Sequence, residues 1–457
     1  MRVEPEDIDG TIGGRAEGRA AGSVQGRFGP VLAGWAAVAL FLALVGRFWH
    51  PYYGFTRFLQ MGDSQAALAV PEMRGRPVFV YPGGNGYDGA LYAQIAFHPL
   101  LGSPDLKRAM ANVPYRARRI LGSALAWAFA GGNPERIANL YACLNLVVWL
   151  LLAALVWRLL PVRDWPGWTA WAGFMFSAGA LDSVRLALTD LPAVALVGAA
   201  LFLAERGRPR RGLAALALAG LARETSLAYA AGWWEGPPGS AGAWRRNIAR
   251  TLAAALPLAA WMAYVRWKEG PAPQGFGNFG WPAAGFARKA AAIAGAFRGR
   301  DGFFWLHATT ALALVGLSVQ AAYLLIVPFR NPAAIRPKSV RAAPADRRGR
   351  IRGAMADPWW RAGIVGVALM TVLGRAVWAG DPGAAMRVLL PMSLAFAVTA
   401  VRRNAGAVWI VAGSLTVCSG VLALIHVPAD PRELAAGRAA GRAYIFELDG
   451  GWYGREA

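Results

Sequence analysis

Residues 137–157 read IANLYACLNLVVWLLLAALVW, with no charged side chain from end to end. A helix crosses a bilayer with about 20 apolar residues, so this stretch is long enough to span a membrane alone. Comparable runs recur on both sides of it. Phe28 to Val45 is the first, and 166–181, 191–204, 249–265, 303–328, 359–379, 384–401 and 405–426 follow.

Composition agrees with that reading. Of 457 residues, 56% are hydrophobic and 16% charged, and 55 glycines lift the apolar share further. Mean hydropathy is +0.34. A soluble domain carries nearer a quarter charged residues, and an apolar excess of this size cannot be hidden in one water-soluble core. An ordinary cytosolic enzyme and a disordered chain are both excluded. An all-α polytopic membrane protein remains.

The net charge of +22 would suggest nucleic acid in a soluble protein. In a membrane protein, Lys and Arg collect in cytoplasmic loops beside anionic lipid. No helix-turn-helix, zinc-finger or RNA-motif signature is present, so the expected partner is the lipid bilayer and not nucleic acid. Cys143 and Cys418 lie inside apolar runs and read as small hydrophobes. The first 27 residues are polar, Gly-rich and acidic at the start. They lack the basic then apolar order of a signal peptide and are expected to be a disordered cytoplasmic lead-in.

Orientation follows from the short basic loops. Arg206, Arg208, Arg210 and Arg211 form one; Arg245, Arg246 and Arg250 a second; Arg402 and Arg403 a third. The segment 329–358 carries Arg330, Arg336, Lys338, Arg341, Arg347, Arg348, Arg350 and Arg352. All four fall on the cytoplasmic side only if 212–234 enters and returns as a hairpin, with Arg223-Glu224 at its outer end. This gives a transmembrane domain over 28–426 of about 11 spans. Its outer parts are a long region, 47–133, the 266–302 loop and a short tail, 427–457. The long region is itself Arg-rich (Arg57, Arg74, Arg76, Lys107, Arg108, Arg116, Arg118, Arg119), which the charge rule tolerates because regions longer than about 60 residues escape it. Within it, Ile120 to Ala130 is apolar but too short to span, and reads as a helix lying along the membrane surface or re-entering it.

Four clusters of ionisable residues map to the outer side. In Gly83-Gly84-Asn85-Gly86-Tyr87-Asp88-Gly89, Asp88 precedes a helical pattern that puts Leu91, Tyr92 and Ile95 on one face. Asp88 reads either as a helix cap or as a general base with Tyr92 one turn on to orient a substrate. Asp63 is a second carboxylate of this region, or a turn residue. Asp182, Arg185 and Asp190 lie between two spans, as a polar cavity lining or a solvated loop. Arg223 and Glu224 are adjacent, so they do not pair with each other on a helix, and each needs a partner elsewhere. Arg375, Asp381 and Arg387 flank a further junction. Arg387 sits inside an apolar run, where it either snorkels or meets an anion such as a phosphate, which suits its planar fork. His50, His98, His307 and His426 are too scattered for a metal motif, and there is no HExxH, paired CxxC or P-loop. No cofactor is implied.

The run GYDGALYAQIAFHPLL (86–101), then YRARRILGSALAWAFAGG (115–132), resembles the opening of bacterial GT-C-type integral-membrane glycosyltransferases. It is most similar to a cell-surface glycopolymer formation family with an early YDGxxY motif and a late R-x-L-x-P motif. TDLPAVAL (189–196), LARETS (221–226) and MRVLLPMSLAF (386–396) follow in matching order, so the resemblance covers most of residues 28–401. It implies a multi-pass protein of the bacterial inner membrane with an outward-facing site and a polyprenyl-phosphate-sugar donor. A glycan or glycolipid acceptor would be deprotonated by Asp88, and the donor phosphate held by Arg387. From the clusters read above, and apart from the resemblance, Asp63, Tyr87, Tyr92, Arg185, Asp190, Arg223 and Glu224 are the expected lining of the substrate site. The competing class is a transporter or flippase of a lipid-linked sugar, which needs cavity charges but no base, and commonly shows repeated halves. No repeat is visible here.

Overall fold

A computed structural model describes residues 17–234, 241–271, 277–298, 304–329 and 353–428, with side chains from residue 28 onward. The first 16 residues, most of the basic segment 329–358 and nearly all of the expected outer tail lie outside these. The chain is a helical membrane protein. A first helix, α1 (Glu17–Gly46), leads into the 47–133 region, built from short helices α2 (Asp63–Leu68), α3 (Pro71–Arg74), α4 (Asp88–Phe97), α5 (Asp105–Ala109), α6 (Val113–Ala117) and α7 (Leu121–Phe129). Then come α8 (Pro134–Leu159), α9 (Trp165–Met175), α10 (Ala178–Arg185), α11 (Asp190–Glu205) and α12 (Pro209–Ala222), a 3₁₀ stretch (Glu224–Trp233), α13 (Ala241–Glu269), α14 (Ala284–Ala296) and α15 (Phe304–Ile326). The last helices are α16 (Pro358–Val372), α17 (Arg375–Trp378), α18 (Ala385–Val388), α19 (Leu390–Arg402), α20 (Ala407–Gly413) and α21 (Val417–Ile425). Two short parallel strands pair Met61 with Val80 and Gly62 with Tyr81.

Caps and prolines start the helices where the sequence sets them. Pro134, Pro209 and Pro358 occupy first turns, where a missing amide costs nothing. Asn133, Asp164, Ser177 and Asp357 accept amide bonds from the helices they precede, satisfying donors that no helix can satisfy itself.

Five helical stretches are long and apolar enough to cross a membrane unaided: Phe28–Gly46, Pro134–Leu159, Ala241–Glu269, Phe304–Phe329 and Ala407–Ile425. The remaining expected spans are shorter or broken. Two expectations change. Residues 17–27, expected to be disordered, are helical as the start of α1. The 266–302 segment, expected to be a loop, carries the end of α13 and all of α14, which packs on α15, α16 and α17. The chain turns back after α12: this helix stops at Ala222, and the 3₁₀ stretch runs back along it. A Cβ on Gly220 would lie 3.1 Å from Leu227, and one on Gly212 would lie 2.4 Å from Trp233.

The broken spans repair one another. The α9–α10 break at Phe176-Ser177 faces the α20–α21 break, where the Ala178 amide donates to the Thr416 carbonyl at 3.0 Å. Gly420 permits the contact, because a Cβ there would come within 2.3 Å of the Phe176 carbonyl oxygen. From α15, Gln320 Nε2 donates to the Gly413 carbonyl at 2.7 Å while its Oε1 accepts from Ser393 at 2.8 Å. Freed backbone groups are tolerated at membrane depth only where protein satisfies them in this way.

Candidate functional site

At one end of the helices, two close backbone approaches stack three elements. Gly89, in the first turn of α4, lies so near the Leu186 carbonyl that a Cβ would sit 2.2 Å from its oxygen. Gly179 of α10 meets the Met386 carbonyl of α18 at the same distance. The start of α4 and α18 are thereby held against the two ends of the eight-residue α10, although nearly 300 residues separate Asp88 from Arg387 in the chain.

This brings most of the expected site residues into one network. Arg387, 7% exposed, donates through Nη2 to the Tyr87 hydroxyl at 2.7 Å and lies over the Tyr87 ring, 5.4 Å from its centroid. Asp182 and Asp190 are its electrostatic neighbours. Asp190 forms a buried ion pair with Arg223. Glu224 takes a bidentate bond from Arg119, both contacts at 2.9 Å, and a further contact from Arg118 at 3.2 Å. Arg119 also donates to the Tyr92 hydroxyl at 2.9 Å. The requirement that Arg223 and Glu224 find separate partners is met, each on a different element.

Asp88 is not used as a cap. The residue in cap position is Tyr87, which makes no side-chain cap bond. The Asp88 carboxylate instead accepts from Arg116, with Nε and Nη2 both 3.1 Å from Oδ1. Both contacts fall on Oδ1 of a side chain that is about one-third exposed, and Oδ2 takes part in neither.

Burial pushes the Tyr92 hydroxyl up to about 12, against the opposing pull of Arg119. It therefore stays a neutral phenol at physiological pH. Burial acts on Glu224 in the same upward sense, but the guanidinium of Arg119, then those of Arg118 and Arg223, outweigh it and hold the carboxyl well below its ordinary range. Glu224 is fixed as an anion that organises arginines. It is no proton donor.

Three expectations need correction. Asp63 is engaged by the glycine loop: its Oδ2 accepts from the Gly83 amide at 2.6 Å, so it secures that loop as a turn residue does. Arg185 stands outside the Asp190–Arg223 pair but, with Arg387, is an electrostatic neighbour of Asp182. It is buried against the 47–133 region, donating to the Tyr81 hydroxyl at 3.0 Å and the Arg57 carbonyl at 3.3 Å, over the Phe48 ring. The Arg375, Asp381, Arg387 cluster also separates: Asp381 binds Lys289 at 2.6 Å and lies 3.7 Å from His307, Arg375 is exposed, and only Arg387 reaches the network.

Sequence reasoning missed Arg116, Arg118 and Arg119 as site residues, counting them only as outer charge. Tyr115, whose ring lies under the Arg118 guanidinium at 4.2 Å, belongs with them. The available signal was the density of Tyr115-Arg116-Ala117-Arg118-Arg119 at and just past the end of the short helix α6. Among the described residues, no group of three or more His, Cys, Asp and Glu side chains is placed to hold a metal ion. In the network itself the arginines outnumber the carboxylates, a balance that favours an anionic ligand.

Comparison with protein-family models, with curated proteins and with solved structures returns no match.

Proposed function

We propose that this chain is a GT-C-type membrane glycosyltransferase. It moves a sugar from a polyprenyl-phosphate donor to a glycan or glycolipid acceptor at the extracytoplasmic face of a bacterial inner membrane, which the chain crosses about eleven times. One observation carries the reading: Tyr87, the chain neighbour of Asp88, is hydrogen-bonded to Arg387, so the candidate base and the candidate phosphate-binding arginine share one end of the helices.

The chemistry asks little more. The Asp88 Oδ2 takes the acceptor hydroxyl proton, the acceptor oxygen attacks the anomeric carbon, and the bond from that carbon to the phosphate oxygen breaks. The departing lipid phosphate gains charge, which the buried Arg387 fork stabilises. Asp190 holds Arg223 and Glu224 holds Arg118 and Arg119, so the wall is rigid before substrate arrives.

The test is sugar transfer in membranes from cells carrying Asp88→Asn, with a panel of radiolabelled polyprenyl-phosphate hexoses and pentoses as donors. General-base removal lowers transfer by roughly 10²- to 10⁴-fold at unchanged protein level. Unchanged transfer removes Asp88 as base, and facilitated movement of intact lipid-linked sugar by both proteins would favour a flippase.

A further inference from the structure

The opposite end of the helices holds a cleft of roughly 940 Å³ that the proposed transfer reaction does not use. It is bounded by the end of α8, the turn into α9, and the end of α11 with the turn after it. Trp157, Arg158, Arg163, Phe202, Arg206 and Arg208 are the side chains that define its chemistry. Its lining contains no acid. The adjacent carboxylates are committed elsewhere: Asp164 caps α9 through the Gly167 amide at 2.7 Å, and Glu205 is gripped by Arg402 at 2.6 and 3.0 Å. Among the described residues, none of the four arginines has a carboxylate partner. Arg206 lies over the Phe202 ring at 4.9 Å, which leaves its charge unneutralised.

Arginine forks on such a wall match phosphate oxygens in pairs. The surroundings indicate where the phosphate comes from. Trp157 also packs on α1, its ring 6.3 Å from that of Trp35 and in contact with Gly34. Along that part of α1, Phe28, Leu32 and Trp35 fall at helical spacing on one face and are 71%, 71% and 64% exposed. A soluble phosphate has no use for such a stripe, whereas an acyl chain does. Basic clefts between membrane helices bordered by interfacial aromatics have the form of a lipid head-group site.

We infer that this cleft binds an anionic phospholipid from the leaflet at that end. Its head-group phosphates sit on Arg158, Arg163, Arg206 and Arg208, and an acyl chain lies along Phe28, Leu32 and Trp35. Four arginines without counter-charge suit a head group with two phosphates better than one with a single phosphate. The inference is independent of the sugar-transfer reading.

The test uses full-length protein in lipid nanodiscs of phosphatidylcholine alone or with cardiolipin, with retained lipid counted by native mass spectrometry. Wild type is compared with Arg163→Gln/Arg206→Gln and with Arg245→Gln/Arg246→Gln, which removes the same charge from the start of α13, a stretch expected as a loop but helical in the structure and outside the cleft. Melting in phosphatidylcholine discs verifies that all three are folded. The expected result is cardiolipin retention reduced about tenfold or more in the cleft variant and unchanged in the control. Equal losses in both variants, or retention in the cleft variant, would overturn the site. Millimolar pyrophosphate is the second arm: failure to displace the lipid supports a site for intact phospholipid, and arginine-dependent displacement would identify the site as one for soluble phosphate instead.

Discussion

Asp88 and Arg387 divide the proposed chemistry between a proton and a phosphate, and their substitutions should separate kinetically. Arg387→Lys keeps the charge but loses the planar fork, so transfer should fall by about tenfold or more while Asp88-dependent proton removal remains; initial rates against donor concentration measure this. Glu224 makes a prediction about stability. Its native value lies below the ordinary 4.5, so its contribution is complete above that value and is lost progressively as pH falls below it toward the lowered native one. Melts of wild type and Glu224→Gln should differ most near neutrality and converge in acid. Asp88, Tyr87, Tyr92, Asp190, Arg223, Glu224 and Arg387 were legible because an ionisable or phenolic side chain beside an apolar run needs a partner. Arg116, Arg118 and Arg119 were not, because which arginine of a basic region turns inward depends on the path of α6, and no local pattern encodes that path. Asp63 and Arg185 take hydrogen-bond partners in the 47–133 region, at the Gly83 amide and at Tyr81 and the Arg57 carbonyl, which no local pattern names.

At the scale of elements, glycine and the helix breaks decide the geometry. Gly89→Ala places a methyl group against the Leu186 carbonyl, and Gly179→Ala against that of Met386. Each should cost about 1–3 kcal/mol, and the first should also impair transfer by moving α4. Thermal melts in detergent and transfer assays on the same preparation measure the two effects. Gln320→Leu strands the Gly413 carbonyl and the Ser393 hydroxyl, at roughly 1–3 kcal/mol. The sequence reading located the apolar segments well, because hydropathy is local. It drew α9–α10 and α18–α19 as single spans because a break repaired by another helix leaves only a serine or proline as its local mark. The helix α14 was missed because its Ala-rich run lies in a stretch read as loop.

For the whole molecule, the two ends differ in kind. One gathers the Asp88 network, and the other carries Arg402 with Glu205, Arg403 with Asp357, and the arginine cleft. Mapping with single cysteines should place position 158 and position 403 on one side of the membrane and position 88 on the other. Labelling of 88 and 403 from the same side would refute the orientation. The class of protein was legible from length, charge and hydropathy alone, since a bilayer imposes one requirement on every span. The meeting of residues far apart in the chain was anticipated only as a shared side of the membrane, because loop charge encodes sidedness and not contact.

The mutual repair of the broken spans bears on synthesis. The Ala178 amide emerges from the ribosome more than two hundred residues before Thr416, its partner. At roughly 5–20 residues per second, α9 and α10 wait on the order of ten seconds or more with an open junction in or beside the insertion machinery. A chain arrested before residue 407 cannot close it, and should be held by the translocon or degraded by membrane proteases. Maturation of this protein is therefore set by α20 and α21, and release from quality control should coincide with their insertion.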